Sequence, residues 1–261
     1  MARSTQGIPV WYELMTDDPD AAQAFYAEAI GWHVGDSGQP GMDYRIFAQP
    51  HGNAIAGLMK RPEGAAPARW LIYFGVDDVD AAVAEVQAAG GDVWMPATTM
   101  PGVGRLALVG DPERNPFYLM RGEPDEPGSA FVAYGEGGRP AAGCGVWNEL
   151  TTRDQGAAMG FYGRVLGLRQ EGGMPMGEWG EYAFVHAGAD CIGATMTAQL
   201  DWPLGWQPYF LVDDIDAAAA RITAAGGSVV QGPDPIPGGD YSLVAADPAG
   251  VRFGLVGARK G

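Results

Sequence analysis

Apolar and polar residues follow one pattern that recurs four times along the chain. In each case an apolar run predicts a strand, and an aspartate after it offers a side-chain oxygen to the first N–H groups of a helix. Val10 to Thr16 and Trp70 to Val76 are two such runs. An alanine-rich helix follows and stops at a glycine, which adopts a positive φ at little cost.

Three shorter strands are predicted after each helix. For example, Met42 to Gln49 and Asn53 to Lys60 flank the turn residues Pro50, His51 and Gly52. The element order of each pattern is therefore βαβββ. A helix that covers one face of such a sheet leaves the other face free to curve around a ligand. The predicted fold class is α+β, with four βαβββ modules.

The chain also contains two copies of one domain-sized sequence. A shift of 136 positions aligns Tyr73–Val93 with Tyr209–Val229, and 14 of these 21 positions are identical. A shift of 60 positions aligns the helix starts within each copy, which gives four modules of about 60 residues. Glycine and proline are frequent from Gly122 to Gly143, which indicates a linker. We predict one domain at residues 1–126, a linker at 127–142 and a second domain at 143–261.

Composition narrows the range of partners. The 261 residues carry a formal net charge of −16, which repels nucleic acid and anionic membrane surfaces. No apolar stretch approaches the ~20 residues of a membrane span, and the first residues do not resemble a signal peptide. Cys144 and Cys191 both lie in the second half and are expected to be reduced packing residues. We therefore expect a cytoplasmic protein without a nucleic acid or membrane partner.

Several short motifs recur at corresponding positions of the two copies. In the first copy they are Asp18, Phe25-Tyr26, Gly31-Trp32, Val76-Asp77-Asp78, Ala89-Gly90-Gly91 and Asp111-Pro112. All recur 136 positions later, except that Leu168 replaces Trp32. This combination resembles the glyoxalase/bleomycin-resistance family, which has the vicinal oxygen chelate fold. The resemblance covers roughly residues 8–121 and 144–257.

The resemblance implies two cup-shaped half-barrels, each built from two modules, with a site inside each cup. It also implies a range of chemistries: metal-dependent isomerases and lyases, extradiol dioxygenases, epimerases, and proteins that only bind antibiotics. Fold alone does not choose among them. In the family's metal enzymes, His, Gln or Glu ligands lie on four inward-facing strand positions. The corresponding positions here are Trp11, about Ala56, Leu71 and Tyr118, and Trp147, about Gly193, Gln207 and Gly254.

These positions lack the donors of a metal site. Gln207 is the one possible ligand among the eight, whereas a divalent cation in this fold needs three or four nitrogen or oxygen donors. His33, His51 and His186 are interpreted as surface or packing residues. We therefore predict no metal and no other cofactor.

Tryptophan and glutamate occupy the first strand of each copy instead. Strand alternation puts Glu13 on the face of Trp11, and Glu149 on the face of Trp147. One interpretation is an aromatic pocket in which the glutamate orients a ligand or takes a proton, since burial raises a carboxyl pKa. The other is that the tryptophan closes the cup while the glutamate caps backbone donors or pairs with an arginine such as Arg45.

Further aromatic and soft residues fall on predicted strands, and most are expected in the core. They are Tyr44, Met59, Trp70 and Tyr118 in the first copy and Trp179, Tyr182, Met196, Trp206 and Tyr241 in the second. The ligand-binding candidates, besides the two tryptophans, are Tyr44, Met59, Tyr118, Tyr182, Gln207 and Tyr241. The copies differ where Gln207 replaces Leu71 and Tyr241 replaces Arg105, so one cup could bind while the other supports it.

The sequence thus predicts a metal-independent family member that binds a small, partly aromatic metabolite or drug, as a monomer or a homodimer. A first alternative is a lyase, isomerase, hydrolase or dioxygenase-type enzyme that uses Glu13 or Glu149 as general base, or an atypical metal site. A second alternative is a scaffold with filled cups that binds another protein.

Overall fold

A computed structural model describes residues 5–39, 41–50, 52–123, 130–134 and 139–260. His51 and most of the predicted linker glycines and prolines lie outside the described residues. Within the described part of the chain, no helix is long and apolar enough to cross a membrane.

The order βαβββ occurs four times, which confirms the predicted fold class. The helices are α1 (Pro19–Ile30), α2 (Val79–Ala88), α3 (Gln155–Leu166) and α4 (Ile215–Ala224). The strands of the first two modules are β1 (Pro9–Thr16), β2 (His33–Asp36), β3 (Tyr44–Ala48), β4 (Ala54–Lys60), β5 (Arg69–Gly75), β6 (Asp92–Met100), β7 (Gly104–Gly110) and β8 (Pro116–Gly122). Those of the third and fourth modules are β9 (Gly145–Thr152), β10 (Arg169–Pro175), β11 (Glu181–Ala187), β12 (Asp190–Thr197), β13 (Gly205–Val212), β14 (Ser228–Pro235), β15 (Tyr241–Ala246) and β16 (Arg252–Gly257).

The strands form two eight-stranded mixed sheets. Within the modules, the strand orders are β2-β3-β4-β1, β5-β8-β7-β6, β10-β11-β12-β9 and β13-β16-β15-β14. The first strand of every module runs parallel to the last, while the other pairs are antiparallel. Because a parallel pair needs a long crossover, the helix and the two middle strands provide that connection.

The helix ends follow the sequence signals. The Asp18 side chain accepts a hydrogen bond from the backbone N–H of Ala21, and Pro19 takes the first helical position. Gly31 ends the helix with φ +88°, a left-handed conformation that favours glycine. Asp154 and Gly167 cap α3 in the same way, so the repeat extends to the local geometry.

The chain divides into two compact units, each made of two modules. Unit 1 consists of Met1–Val10, Leu71–Gly128 and Trp147–Trp206, which hold the second and third modules. Unit 2 consists of Trp11–Trp70, Ser129–Val146 and Gln207–Gly261, which hold the first and fourth. The boundaries 1–126, 127–142 and 143–261 remain a prediction.

Unit 2 is held together by a buried hydrogen-bond relay between its modules. The Tyr26 hydroxyl accepts from Nε1 of Trp70 at 3.0 Å and donates to Oδ2 of Asp247 at 3.3 Å. Burial, and then the nearby Asp247 charge, raises the pKa of Tyr26, while burial also raises the pKa of Asp247. The Phe25 ring packs on Phe253, so the Phe-Tyr motif of one module meets the Asp-Pro motif of the other.

Unit 1 repeats this arrangement. The Tyr162 hydroxyl donates to Oδ2 of Asp111 at 3.0 Å, and burial raises the pKa values of both groups. The Phe161 ring packs on Phe117. A Cβ at Gly91 would lie 3.1 Å from the Phe161 ring and 2.8 Å from a valine methyl group, which explains the second glycine of Ala-Gly-Gly. Three of the motifs that carry the family resemblance, Phe-Tyr, Ala-Gly-Gly and Asp-Pro, therefore lie at contacts between modules.

Gly143, the residue after the predicted linker, is hydrogen-bonded within unit 2. Nε1 of Trp32 donates to the Gly143 carbonyl at 2.9 Å, and the Gly143 N–H donates to the Leu211 carbonyl at 2.7 Å. In unit 1 the Gly7 N–H donates to the Gly75 carbonyl at 2.8 Å, which is the same bond 136 positions earlier. Gly143 in unit 2 is thus the counterpart of Gly7 in unit 1.

Candidate functional site

A tryptophan, a tyrosine and a glutamate form a hydrogen-bonded chain in the first module. The Tyr44 hydroxyl accepts from Nε1 of Trp11 at 3.1 Å and donates to Oε2 of Glu13 at 3.0 Å. Trp11 and Glu13 share a face of β1 because they are two residues apart, and Tyr44 opens β3. Gly57 makes room for the ring, since a Cβ there would overlap the Tyr44 hydroxyl. We call this arrangement the first triad.

The third module has the same arrangement, the second triad. Nε1 of Trp147 donates to the Tyr182 hydroxyl at 2.6 Å, and this hydroxyl donates to Oε1 of Glu149 at 2.5 Å. Phe184 stands edge-on to the Trp147 and Tyr182 rings, with centroids 6.1 and 6.2 Å away. The second triad therefore has an additional aromatic wall.

The two carboxylates differ in exposure. Glu13 is 2% exposed, whereas Glu149 is only half-buried. Arg45 does not hold Glu13: its guanidinium pairs with Asp20 at 2.7 Å and Asp43 at 2.9 Å. The suggested Arg45 pairing was wrong, because these acids lie nearer to the arginine and raise its pKa.

The predicted fourth-strand positions, Ala56 and Gly193, each lie one residue before the position that shares the face of the glutamate. Glu13 pairs with Gly57 and Glu149 pairs with Ala194 in the parallel ladders, so these residues share the glutamate faces. Ala56 pairs with Tyr12 and lies on the opposite, fully buried face. The β3–β4 and β11–β12 pairs contain the same register irregularity, and Ala194 lies 137 rather than 136 positions after Gly57. Neither Gly57 nor Ala194 has a side-chain donor for a metal.

The second module has tyrosine where the family has its last-strand ligand. The Tyr118 ring stacks on Tyr73, with centroids 4.0 Å apart and planes 13° from parallel. Leu71, two residues before Tyr73, is 3% exposed. Tyr73 was missed, although it is identical to Tyr209 in the repeat and shares the face of Leu71 by alternation.

The fourth module differs because Gly254 replaces Tyr118. A Cβ at Gly254 would overlap the Tyr209 ring, so this ring fills the space. Gln207 lies two residues before Tyr209, on the same face, and is half-buried. Tyr241 is covered by the Arg259 guanidinium, whose carbon lies 4.1 Å from the ring centroid.

The structure thus groups the predicted residues by module. Trp11, Glu13, Tyr44 and Met59 lie together, since Met59 pairs with Tyr44 across β3 and β4. Trp147, Glu149 and Tyr182 form the second triad. Trp70 and Trp206 are core residues, as predicted, at 4% and 9% exposure. Trp179 lies in a 3₁₀ turn at Gly177–Trp179 rather than on a strand, because the hairpin turn is longer than the pattern indicated.

The donor set does not fit a metal ion. Among the described residues, no group of three or more His, Cys, Asp or Glu side chains could hold one. The first-strand positions carry indole rings, whose N–H groups donate and offer a cation no lone pair. His33 is an exposed residue of β2, and His186 is half-buried on β11.

Four βαβββ modules paired in two units, with aromatic and carboxylate residues on the inner strands, define a tandem protein of vicinal oxygen chelate architecture. The model of the Glyoxalase/Bleomycin resistance protein/Dioxygenase superfamily matches residues 8–119 and 146–255. The chain belongs to this superfamily.

Similar proteins span the whole chain. A protein named "Putative glyoxylase CFP32", from Mycobacterium tuberculosis (strain CDC 1551 / Oshkosh), is 35% identical over 96% of this chain and 95% of its own length. "Anthracycline biosynthesis protein DnrV" from Streptomyces peucetius is 30% identical over 100% of this chain and 97% of its own. The Mn(II)-bound glyoxalase from Novosphingobium aromaticivorans shares the fold with a TM-score of 0.67 at 20% identity, covering 100% of this chain and 84% of that one. The 2,3-dioxygenase LapB from Pseudomonas sp. KL28 gives 0.66 at 16% identity, covering 97% and 92%.

Proposed function

We propose that this protein binds a small, partly aromatic molecule on the inner face of its sheets, without a metal ion. One observation carries the proposal: a Trp–Tyr–Glu hydrogen-bonded chain stands in both copies where the family's metal enzymes have their first-strand ligand. Each triad offers a flat apolar ring beside a phenol and a carboxylate. It therefore suits a planar ligand that carries hydroxyl, keto or amino groups.

The relatives support a fused-ring ligand. The names of two relatives refer to anthracycline biosynthesis, and anthracyclines are fused-ring aromatic compounds. Indole and phenol side chains provide large contact areas for such rings at a low cost in side-chain entropy. A buried carboxylate needs a hydrogen-bond donor, which the triad tyrosine supplies and which a ligand hydroxyl could also supply. We therefore propose hydroxylated polycyclic aromatics as the ligand class.

Binding is tested by titrating the protein with a dihydroxyanthraquinone and following tryptophan quenching, with and without a chelator. We expect saturable binding that the chelator leaves unchanged. Trp147→Ala should weaken binding by about 1–3 kcal/mol through lost stacking and apolar contact. Elemental analysis of protein purified without chelator should find clearly less than one transition metal per chain. Stoichiometric zinc, iron, manganese or nickel that survives dialysis would contradict the metal-independent part of the proposal.

A second candidate function is acid–base catalysis by the second triad. It is favoured by the Tyr182–Glu149 hydrogen bond of 2.5 Å beside a half-buried carboxylate, because such a pair can exchange a proton with a ligand. Glu149→Gln separates the two functions. A binder changes its affinity, whereas an enzyme that uses this carboxylate as base loses roughly 100-fold or more of its turnover and still binds.

The remaining parts of the proposal concern the protein's partners. We propose that it works in the cytoplasm as a monomer or a homodimer, and size-exclusion chromatography with light scattering distinguishes these two states. If no screened ligand binds and neither triad variant has an effect, the scaffold alternative gains support.

A further inference from the structure

We propose that the second triad is the working ligand site, and that Trp179 and Trp202 form an outer aromatic subsite for the far end of a fused-ring ligand. This inference rests on the proposed function, whose ligand class it narrows. It concerns unit 1 alone, because the second triad and both tryptophans belong to Trp147–Trp206.

Two separate loops bring these tryptophans together. Trp179 ends the 3₁₀ turn before β11, and Trp202 lies in the loop between β12 and β13. Their ring centroids are 5.9 Å apart and their planes meet at 67°. Trp179 is 47% exposed and Trp202 is half-buried. The two indoles thus form an open, angled aromatic corner.

The corner adjoins the second triad along the chain and across the sheet. Tyr182 follows Trp179 by three residues, so their Cα atoms are at most about 10 Å apart. Trp202 follows the end of β12, the antiparallel neighbour of β11, and β12 ends beside the start of β11. A ligand held at Tyr182 and reaching the corner must therefore have several fused rings rather than one.

The backbone hydrogen bonds of the two loops do not account for tryptophan at these two positions. The turn at Trp179 is closed by backbone bonds, with the Met176 N–H on the Gly180 carbonyl at 2.8 Å and the Trp179 N–H on the Met176 carbonyl at 3.2 Å. The Trp202 N–H bonds to the Gln199 carbonyl at 3.1 Å. Because these contacts use only backbone atoms, smaller side chains would serve the turns equally well. A partly exposed aromatic pair of this kind is typical of binding sites.

The first copy lacks every component of this subsite. Counting back three residues from Tyr44 gives Gly41 in place of Trp179, and Trp202 corresponds to Ala66 under the 136-residue shift. Phe184 corresponds to Ile46, two residues after the triad tyrosine. The first-copy carboxylate is also closed off, at 2% exposure. The duplication therefore has one copy with a partly exposed triad carboxylate and additional aromatic residues, and one copy whose triad carboxylate is buried.

The test compares a fused-ring probe, a dihydroxyanthraquinone, with a single-ring probe, catechol, by isothermal titration calorimetry. Trp179→Ala and Trp202→Ala should each weaken the fused-ring probe by roughly 5- to 30-fold and change catechol binding by less than about twofold. Trp202→Phe should restore most of the affinity. Trp94→Ala, a partly exposed tryptophan of the second module, is the matched surface control and should leave both affinities unchanged.

The two copies provide the second control. Trp147→Ala should weaken both probes, whereas Trp11→Ala should weaken neither. Melting curves of all variants establish that they are folded. If Trp147→Ala weakens the fused-ring probe while Trp179→Ala and Trp202→Ala do not, the outer subsite is wrong and the proposed function stands. If Trp11→Ala rather than Trp147→Ala abolishes binding, the choice of copy is wrong. If the unaltered protein binds neither probe, the proposed function itself fails.

Discussion

Replacing Tyr26 by phenylalanine should destabilise the protein more than the matched replacement of Tyr162. Both side chains are fully buried, and each donates to an aspartate of the other module in its unit. Tyr26 also accepts a hydrogen bond from Nε1 of Trp70 at 3.0 Å. Its counterpart, the buried Nε1 of Trp206, also interacts with the Tyr162 hydroxyl and lowers its pKa, but it lies outside normal hydrogen-bond geometry. Tyr26→Phe therefore removes the better-formed of the two indole hydrogen bonds.

The structure sets the expected magnitudes. Each substitution removes a buried hydrogen bond to a carboxylate, which contributes about 2 kcal/mol, and Tyr26→Phe adds about 1–2 kcal/mol for the indole N–H left without an acceptor. We expect losses in the free energy of unfolding of about 3–4 kcal/mol for Tyr26→Phe and about 2 kcal/mol for Tyr162→Phe. The Tyr26 hydrogen bond also lowers the pKa of Asp247 against the effect of burial. Because Oδ2 of the ionised carboxylate then loses its Tyr26 donor, while backbone N–H groups still donate to Oδ1, the loss should shrink as the pH falls and Asp247 takes up its proton.

Urea unfolding followed by tryptophan fluorescence and circular dichroism measures both losses. The midpoints should fall while the slope m stays unchanged, which shows that the variants keep the native fold. A Tyr26→Phe loss no greater than that of Tyr162→Phe would refute the role of the indole N–H. Losses below about 0.5 kcal/mol in both variants would refute the view that these relays stabilise the paired modules.

Three further predictions concern backbone space, pH and thiol reactivity. Gly227→Ala should destabilise the protein strongly in urea, because the added Cβ would lie 2.7 Å from a backbone carbonyl oxygen and from a phenylalanine ring. Gly160→Ala is the contrast: this position of α3 has open space around it, so the substitution should stabilise the protein by about 0.5–1 kcal/mol. A hydrogen bond from Arg105 holds the pKa of Asp80 below its ordinary value of 3.8. The pair therefore contributes stability above pH 3.8, and this contribution is lost as the pH falls through the lower pKa of the folded state. Asp80→Asn should therefore make the melting temperature fall less steeply below about pH 4, and an unchanged slope would contradict this role. Burial raises the pKa of the Cys144 thiol to about 11. A disulfide reagent at pH 8 should therefore modify Cys144 at least about tenfold more slowly than Cys191. Equal modification rates in the two single-cysteine variants would contradict this prediction.

Local features of the fold followed from the sequence because their causes are local. The Asp18 cap, the Gly31 stop and the common face of Trp11 and Glu13 depend only on residues a few positions apart. The repeat, too, is a property of the sequence alone. It predicted that β1 and β9 are equivalent, and their observed bounds, Pro9–Thr16 and Gly145–Thr152, differ by 136 positions.

The joints between modules required the tertiary structure. The Tyr26–Asp247 hydrogen bond joins residues 221 positions apart, and the sequence could not show which module supplies the partner. All four modules bury a helix against a sheet with the same pattern, so either pairing would satisfy the hydrophobic periodicity. The choice is made by side-chain packing between modules, as where the Phe25 ring fills the space beside Gly227.

Within the candidate site, the sequence predicted the types of residue, whereas the contacts between them required the tertiary structure. Alternation predicted the faces of the glutamates but neither the fourth-strand register nor their hydrogen-bond donors. The strand opposite Glu149 contains a register irregularity, and a shift of one residue moves a side chain to the other face of the sheet. Tyr44 and Tyr182 were candidates by residue type. Only the folded sheet places their hydroxyls between an indole and a carboxylate, because each tyrosine lies two strands further along the chain than the strand that carries the other two groups.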